Sequence, residues 1–317
     1  MRRCFAALGA FTFSLAVAWA QISASAPAMS QLKLGKDCYA RGEINSAIAH
    51  YDAALHADAG FAEAYYERAR AYYAKGNLRD AFADYGHAIE HDPGFAEAYN
   101  NRGVIAKSAG NRDEAIEEFS RAIRLQPGFA EAYNNRGNAR REKGDLLGAI
   151  EDFNCALRAN PRRAEVYCNR ALARFLRGDK QGAIKDCTRA IKLNPLLAVA
   201  YSNRGVALES KGQLELALND YDKAIALDSR LVDAYRNRAG VRETRHDFRN
   251  AISDYDRIIE IKPDSATSYA NRGILRMIEG QREAAEQDFE HCLRLNPELR
   301  TELERRILEI SGKKMTP

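Results

Sequence analysis

Asparagine recurs at one fixed spacing along much of the chain, and its side chain is suited to binding peptides. Six asparagines follow one another at intervals of 34 residues: Asn101, Asn135, Asn169, Asn203, Asn237 and Asn271. A primary amide donates and accepts hydrogen bonds at once, so it can pair with the N–H and C=O groups of an extended main chain. We therefore take this asparagine column as the candidate peptide-binding site. Two structural interpretations stay open, since these amides could also cap or bridge neighbouring helices or be relics of repeat duplication.

Arginine and acidic residues recur with the same period and are placed to form ion pairs. An arginine follows each of the six asparagines directly, and a seventh follows Glu67. An acid stands sixteen residues after each arginine, which gives the pairs Arg68 and Asp84, Arg102 and Glu118, Arg136 and Asp152, Arg170 and Asp186, Arg204 and Asp220, Arg238 and Asp254, and Arg272 and Asp288. One period earlier both members are missing, with Leu34 and His50 in their places. An unpaired charge near a core is costly, so this joint loss predicts structural ion pairs. An arginine row that grips acidic ligands is the alternative.

Residue types that carry catalysis or bind metals are sparse. His87 and His91 are four residues apart and could share a helix face, but no third ligand stands at a suitable spacing. A histidine near a helix C-terminus is the simpler interpretation. Cys168 is the cysteine with the best prospect of reactivity. Three others occupy apolar columns and are expected in the core: Cys38, Cys187 and Cys292. No nucleophile elbow, phosphate-binding loop or zinc-protease motif occurs. We predict no catalytic residue, no metal site and no cofactor.

Two helices per period must position these columns. In 96–129, the segments Ala96–Ala109 and Asp113–Leu125 both carry apolar residues at helical spacing. Gly110 lies between them and supplies the positive-φ residue that ends the first helix. Pro127 ends the second helix, because proline disfavours helical geometry in the residue before it. Tyrosine, glycine, alanine and proline share the period, which defines eight repeats: 28–61, 62–95, 96–129, 130–163, 164–197, 198–231, 232–265 and 266–299.

This pattern resembles the tetratricopeptide repeat, a 34-residue unit with an aromatic residue near its start, small–aromatic–small spacing and a closing proline. The resemblance covers 28–299, which is 272 of the 317 residues. It implies an all-α, right-handed superhelical solenoid of eight helix-turn-helix repeats, with the asparagine column on the first helices facing a concave groove. First helices spaced by about 10 Å would offer an extended peptide one asparagine at every third residue or so. The variable fifth and ninth positions of each repeat are expected to face the same groove.

The array departs from this pattern in repeat seven and at both ends. His246 stands where other repeats have the turn glycine, and Ile258 stands where they have a small residue, which suggests altered packing there. The first repeat is atypical, as expected of a terminal cap. After the array, 300–311 is predicted to form a capping helix with its apolar residues on one face, followed by a tail at 312–317.

The N-terminus has the features of a secretory signal peptide. Arg2 and Arg3 precede an apolar run that reaches Ala20 without a charge. Small residues suited to cleavage end at Ala20 and at Ala26, so we assign residues 1–26 to the signal. A retained membrane anchor is the alternative. No other stretch approaches membrane-spanning length. We therefore expect an exported protein with no membrane span after cleavage, periplasmic in a Gram-negative bacterium or otherwise secreted.

Composition narrows the class of function further. The chain has 48 basic and 44 acidic residues, interspersed, with a formal charge of +4, so nothing supports a nucleic-acid partner. Six cysteines are too few for a disulfide scaffold. We predict a non-catalytic scaffold that binds an extended peptide or protein segment in its concave groove. The alternative is a structural or assembly factor of a cell-envelope complex, acting by self-association or through its convex surface. The partner's identity and the oligomeric state stay open, because a scaffold fold does not specify a function.

Overall fold

The computed structural model describes residues 25–313, with side chains as far as Ile310. Within that range the chain is helical and has no strand. The first helices of the eight repeats are α1 (Ala26–Ala40), α3 (Ala62–Ala74), α5 (Ala96–Ser108), α7 (Ala130–Glu142), α9 (Ala164–Leu176), α11 (Ala198–Glu209), α13 (Val232–Thr244) and α15 (Ala266–Ile278). The second helices are α2 (Ile44–Ala57), α4 (Leu78–His91), α6 (Arg112–Leu125), α8 (Leu146–Ala159), α10 (Lys180–Leu193), α12 (Leu214–Leu227), α14 (Phe248–Ile261) and α16 (Arg282–Leu295). A 3-10 turn at Pro297–Leu299 leads into α17 (Arg300–Lys313). The predicted all-α array of helix-turn-helix repeats with a C-terminal helix is confirmed.

The predicted N-terminal signal lies almost wholly outside the described residues. Its last two residues belong to the start of α1, where the Ser25 hydroxyl accepts a hydrogen bond from the backbone N–H of Ala28 at 3.4 Å. Helix α17 continues to Lys313, two residues past the predicted end, and the remainder of the predicted tail lies beyond the described range.

The chain divides into two compact units, and each is described by itself. The N-terminal unit ends at Gly144 and contains α1 to α7, and the C-terminal unit begins at Asp145 and contains α8 to α17. In each unit, glycines of the first helices lie against aromatic rings of the second helices. A Cβ on Gly103 would lie 2.8 Å from a ring carbon of Phe119, and one on Gly273 would lie 2.5 Å from Phe289. The small residues are therefore required for the close approach of the two helices in a repeat.

The turn between the two helices of each repeat requires a residue with positive φ. Gly110 provides it in repeat three with φ of 86°, and His246 adopts the same region in repeat seven with φ of 58°. A left-handed conformation costs a residue with a Cβ about 1–2 kcal/mol. Ile258, which we predicted to alter packing in the same repeat, is completely buried.

The repeated arginines form the predicted ion pairs. In each of the six repeats that carry this arginine and have both helices in the same unit, the arginine on the first helix donates to the acid on the second helix. The acids are Asp84, Glu118, Asp186, Asp220, Asp254 and Asp288. Each is 6% exposed or less. In repeat six, Arg204 Nε and Nη2 donate to the two carboxylate oxygens of Asp220, both at 2.7 Å. These arginines are committed to the scaffold, which favours the structural interpretation over an arginine row that grips ligands.

The same arginines also join consecutive repeats. Arg238 Nη1 lies 2.6 Å from Asp222 Oδ1, and Arg170 Nη1 lies 2.6 Å from Asn154 Oδ1. In both cases the partner lies sixteen residues earlier, on the second helix of the preceding repeat. One guanidinium therefore joins the two helices of its own repeat and also binds the previous repeat. This second contact was not predicted from the sequence.

Candidate peptide-binding surface

In the N-terminal unit, the asparagine column bridges neighbouring first helices. Asn101 Nδ2 on α5 donates to Tyr66 Oη on α3 at 3.2 Å. Asn135 Nδ2 on α7 donates to Asn100 Oδ1 on α5 at 3.0 Å. Both amides are half-buried. Their donor groups serve the scaffold here, as the bridging interpretation predicts, and part of each amide still reaches solvent.

In the C-terminal unit, two consecutive members of the column have free amides. Asn203 on α11 and Asn237 on α13 are half-buried, and neither side chain has a hydrogen-bond partner among residues 25–313. Asn169, also half-buried, is engaged in an interaction. A half-buried amide without a partner retains donor and acceptor capacity for a ligand. The column therefore contains amides used by the scaffold and amides left available.

The last asparagine of the column is covered by the C-terminal helix. Asn271 Nδ2 donates to Tyr255 Oη at 3.2 Å, and Asn271 Oδ1 accepts from Arg306 Nη1 on α17 at 2.9 Å. Tyr255 in turn donates to Glu243 Oε1 at 2.9 Å. Burial raises the pKa of the Glu243 carboxyl group above its ordinary value. The four side chains form a continuous polar network that closes this end of the column.

A pocket of about 240 Å³ surrounds Asn101 in the N-terminal unit. Its lining combines aromatic, charged and amide side chains: Tyr39, Arg70, Tyr73, Tyr85, Asn101, Val104 and Glu131. Arg70 stacks over the Tyr39 ring at 5.1 Å and forms an ion pair with Glu67 at 2.7 Å. Tyr73 is 44% exposed and presents its ring to solvent. Tyr39 and Tyr73 were not predicted as site residues, although their separation of 34 residues was available as a signal.

The chemistry of this pocket suits an apolar or aromatic side chain with a polar edge. Burial raises the pKa of Tyr85, so its hydroxyl stays neutral at physiological pH. Arg70 is neutralised by Glu67, whereas Glu131 is exposed and has no ion-pair partner in the described range. Aromatic walls with a few convergent polar groups are typical of sites that bury one ligand side chain.

The expectation that the fifth position of each repeat faces a groove is wrong for four of the seven repeats. The residues there are nearly buried: Asn100, Cys168, Ser202 and Ala270. This position turns toward the next first helix, as the hydrogen bond between Asn135 and Asn100 shows. The ninth position is more accessible, and two of its members, Arg70 and Val104, line the pocket.

The expected reactivity of Cys168 is also wrong. Its side chain is 5% exposed, and burial raises the pKa of its thiol to about 12, so the nucleophilic thiolate is scarce at neutral pH. Cys155 is the more accessible of the described cysteines. The three cysteines predicted in the core are buried, as expected: Cys38, Cys187 and Cys292.

The paired histidines of repeat two pack against an aromatic ring. Tyr65 lies 5.2 Å from the His87 ring and 5.5 Å from the His91 ring, measured between ring centroids. His87 Nδ1 also lies 3.0 Å from Glu90 Oε2. In the part of the chain that the structure describes, no three or more His, Cys, Asp or Glu side chains are grouped to hold a metal ion.

Comparison with protein-family models identifies the class of protein. Models described as tetratricopeptide repeat or TPR repeat match residues 35–76, 66–128, 100–155, 164–195, 198–231 and 266–299. Together these ranges cover most of the chain, and the chain belongs to the tetratricopeptide repeat family. Such repeats are generally non-catalytic scaffolds that bind protein or peptide partners. Repeat seven, with His246 at its turn, lies outside the matched ranges.

Two solved structures with TM-scores above 0.6 show the same fold at low sequence identity. A tetratricopeptide repeat protein from Parabacteroides merdae is 21% identical over 77% of this chain and 98% of its own, with a TM-score of 0.62. The APC/C hetero-tetramer Cut9–Hcn1 contains a chain that is 15% identical over 84% of this chain and 52% of its own, with a TM-score of 0.64. MamA is 27% identical over 52% of this chain and 96% of its own, with a TM-score of 0.47. No curated protein sequence matches the chain.

Proposed function

We propose that this protein is a non-catalytic scaffold that binds an extended peptide or protein segment along the first helices of its repeats. The observation that carries this proposal is the pair of free, half-buried amides of Asn203 and Asn237. They occupy the same position on consecutive first helices, and α11 packs against α13. Each amide can pair with one peptide group of an extended chain, so binding through them depends little on the ligand's sequence.

The pocket around Asn101 adds selectivity to this main-chain recognition. A peptide that binds the N-terminal unit can bury one large side chain between Tyr39 and Tyr73 and remain within reach of Glu131. Aromatic pockets of this kind supply a large share of the binding energy in peptide recognition. The two units thus offer different contacts, one for the main chain and one for a side chain.

A matched set of asparagine variants tests the proposal. A peptide is selected from a displayed library against the full chain, and its affinity is measured by fluorescence anisotropy. Asn203→Ala combined with Asn237→Ala removes two hydrogen bonds worth about 1 kcal/mol each, so we expect binding to weaken about 30-fold. Asn219→Ala on the exposed side of α12 makes the same chemical change and should leave affinity unchanged. Unchanged affinity in the double variant would remove the amide mechanism.

We also propose that the chain is exported and processed after Ala20, which places the scaffold in the periplasm or outside the cell. The basic residues and apolar run at the N-terminus support export. Cleavage after Ala20 retains Ser25, whose hydroxyl caps α1, whereas cleavage after Ala26 would remove it. An N-terminal cap contributes about 1 kcal/mol. The intact mass of the protein recovered from an envelope fraction discriminates between the two sites and an unprocessed chain.

A further inference from the structure

Repeat five differs from the rest of the array in its charge. It contains seven arginines and lysines against three acids, a formal charge of +4, which equals the formal charge of the whole chain. Two of the acids are already engaged. Asp186 is buried against Arg170 and Arg174, and Asp179 caps α10 through the Gly182 N–H. Excess positive charge therefore accumulates at the surface of this repeat.

The excess positive charge lies on one face of the second helix of this repeat, α10. The exposed residues of this helix include four cations and no anion: Lys180, Gln181, Lys185, Thr188, Arg189 and Lys192. Three of the cations make no hydrogen bond or ion pair with any described residue: Lys185, Arg189 and Lys192. They are spaced three and four residues apart, so they form a row about 10 Å long. We call these three residues the basic row.

The same positions in repeats three and seven carry cations that are neutralised. In repeat three they hold Glu117, Arg121 and Arg124, and both arginines form ion pairs with Glu117. In repeat seven, Arg257 is paired with Glu260. Like charges four residues apart on a helix repel one another, and the array shows that this surface accepts acids. The basic row therefore lacks an internal structural explanation and is available to an anionic partner.

Two features favour a lipid surface over an acidic protein as that partner. Two of the three cations in the basic row are lysines, which act as mobile, hydrated point charges, whereas the planar fork of arginine suits fixed carboxylate geometry. Leu196, three residues after α10 ends, is 75% exposed and is the most exposed large apolar residue described. Cations next to a protruding apolar side chain are typical of proteins that rest on anionic membranes.

We propose that the basic row and Leu196 form a peripheral docking site for an anionic phospholipid surface. The cations of the row are attracted to the headgroups, and Leu196 enters the interface beside them. Such a site binds reversibly and weakens as salt rises, because attraction to the headgroups is screened. It is separate from the first helices that carry the asparagine column, so a membrane and a peptide can be bound at the same time.

Vesicle co-sedimentation of the full chain tests this site. Vesicles of phosphatidylcholine with and without phosphatidylglycerol are compared, and the neutral vesicles control for binding by the apolar N-terminal segment. Wild-type protein should prefer the anionic vesicles, with a preference that falls with salt. Lys185→Gln, Arg189→Gln and Lys192→Gln together should weaken that preference about 100-fold, at about 5-fold for each cation removed. Leu196→Ser should weaken it less.

A control variant removes the same charge elsewhere in the C-terminal unit. Arg249→Gln, Arg257→Gln and Lys262→Gln are exposed positions in repeat seven, and this variant should bind as wild type. Equal weakening in both triple variants would show that net charge alone drives association and would overturn the site. Absence of a preference for anionic vesicles would overturn it as well. Binding of polyglutamate but not of vesicles, lost in the basic-row variant, would assign the face to an acidic protein instead.

Discussion

Removal of both partners of the Arg204–Asp220 ion pair should destabilise the scaffold far less than the sum of the two single removals. Two hydrogen bonds of 2.7 Å join the guanidinium to both carboxylate oxygens, and the side chains are 23% and 8% exposed. The hydrogen bonds with Asp220 raise the pKa of Arg204, so its guanidinium stays charged. The relevant perturbation is therefore a double-mutant cycle of Arg204→Ala and Asp220→Ala.

The expected size of the coupling follows from burial. Breaking a fully buried pair by removing one partner costs about 3–5 kcal/mol, because the remaining charge is left uncompensated. Arg204 is about a quarter exposed, so solvent screens part of that cost, and we expect about 2–3 kcal/mol for each single variant. The double variant leaves no unpaired charge. It should cost little more than either single variant, which gives a coupling energy of about 2 kcal/mol.

Urea unfolding followed by circular dichroism measures the free energy of unfolding of the whole chain in each variant. Native-state hydrogen exchange of α11 and α12 measures the free energy of local opening in repeat six. Stability in a repeat array is distributed among neighbouring repeats, so the local measurement identifies which repeat opens. The exposed pair Arg236 and Asp233, at 2.5 Å with 47% and 70% exposure, is the control and should couple by less than 1 kcal/mol. Additive effects at Arg204 and Asp220, within about 0.5 kcal/mol, would refute the structural role of the arginines.

Two further substitutions probe local strain and buried charge. His246→Gly should raise the free energy of unfolding by somewhat less than 1 kcal/mol, because relief of a φ of 58° exceeds the entropy cost of glycine; a lower unfolding midpoint would contradict this. Burial raises the pKa of Glu243, so the folded state holds its proton more tightly than the unfolded state, and that contribution is lost as pH rises through the folded pKa. Glu243→Gln should therefore melt at a higher temperature than wild type at pH 7 and at the same temperature near pH 4. Melting of the variant below wild type at pH 7 would show that the charge of Glu243 stabilises the fold.

The helix boundaries could be predicted from the 34-residue period because the residues that end the helices act through local physical effects. Gly110 ends α5 because glycine, which has no Cβ, adopts a positive φ without strain. Pro127 follows the end of α6. The pairing of arginine with an acid sixteen residues later was predictable for a similar reason, as the two columns vanish together in repeat one. These features depend only on residues within one repeat.

Contacts between repeats were less predictable, because their residue types vary along the chain. The second partner of the repeated arginine is Asp222 in one repeat and Asn154 in another, so no single residue type marks the column. In the asparagine column the residue type is constant and the contacts vary. One residue type recurs, yet Asn101 bridges two helices while Asn203 is free, since the difference depends on which side chain the preceding repeat presents.

The distribution of cations separates what the array needs for folding from what it offers to partners. A cation opposite a nearly buried acid, such as Arg204, is held by two hydrogen bonds and cannot be given up to a ligand without leaving that acid unpaired. Recognition by charge must therefore come from cations outside these pairs. Repeat five has the clearest set, because its buried acid takes two arginines and leaves Lys185 and its neighbours uncompensated at the surface. In the proposed function, peptide recognition on the first helices depends on amides and tyrosines, and in the proposed docking site attraction to anionic surfaces depends on a second helix. A variant that abolishes one activity should leave the other intact.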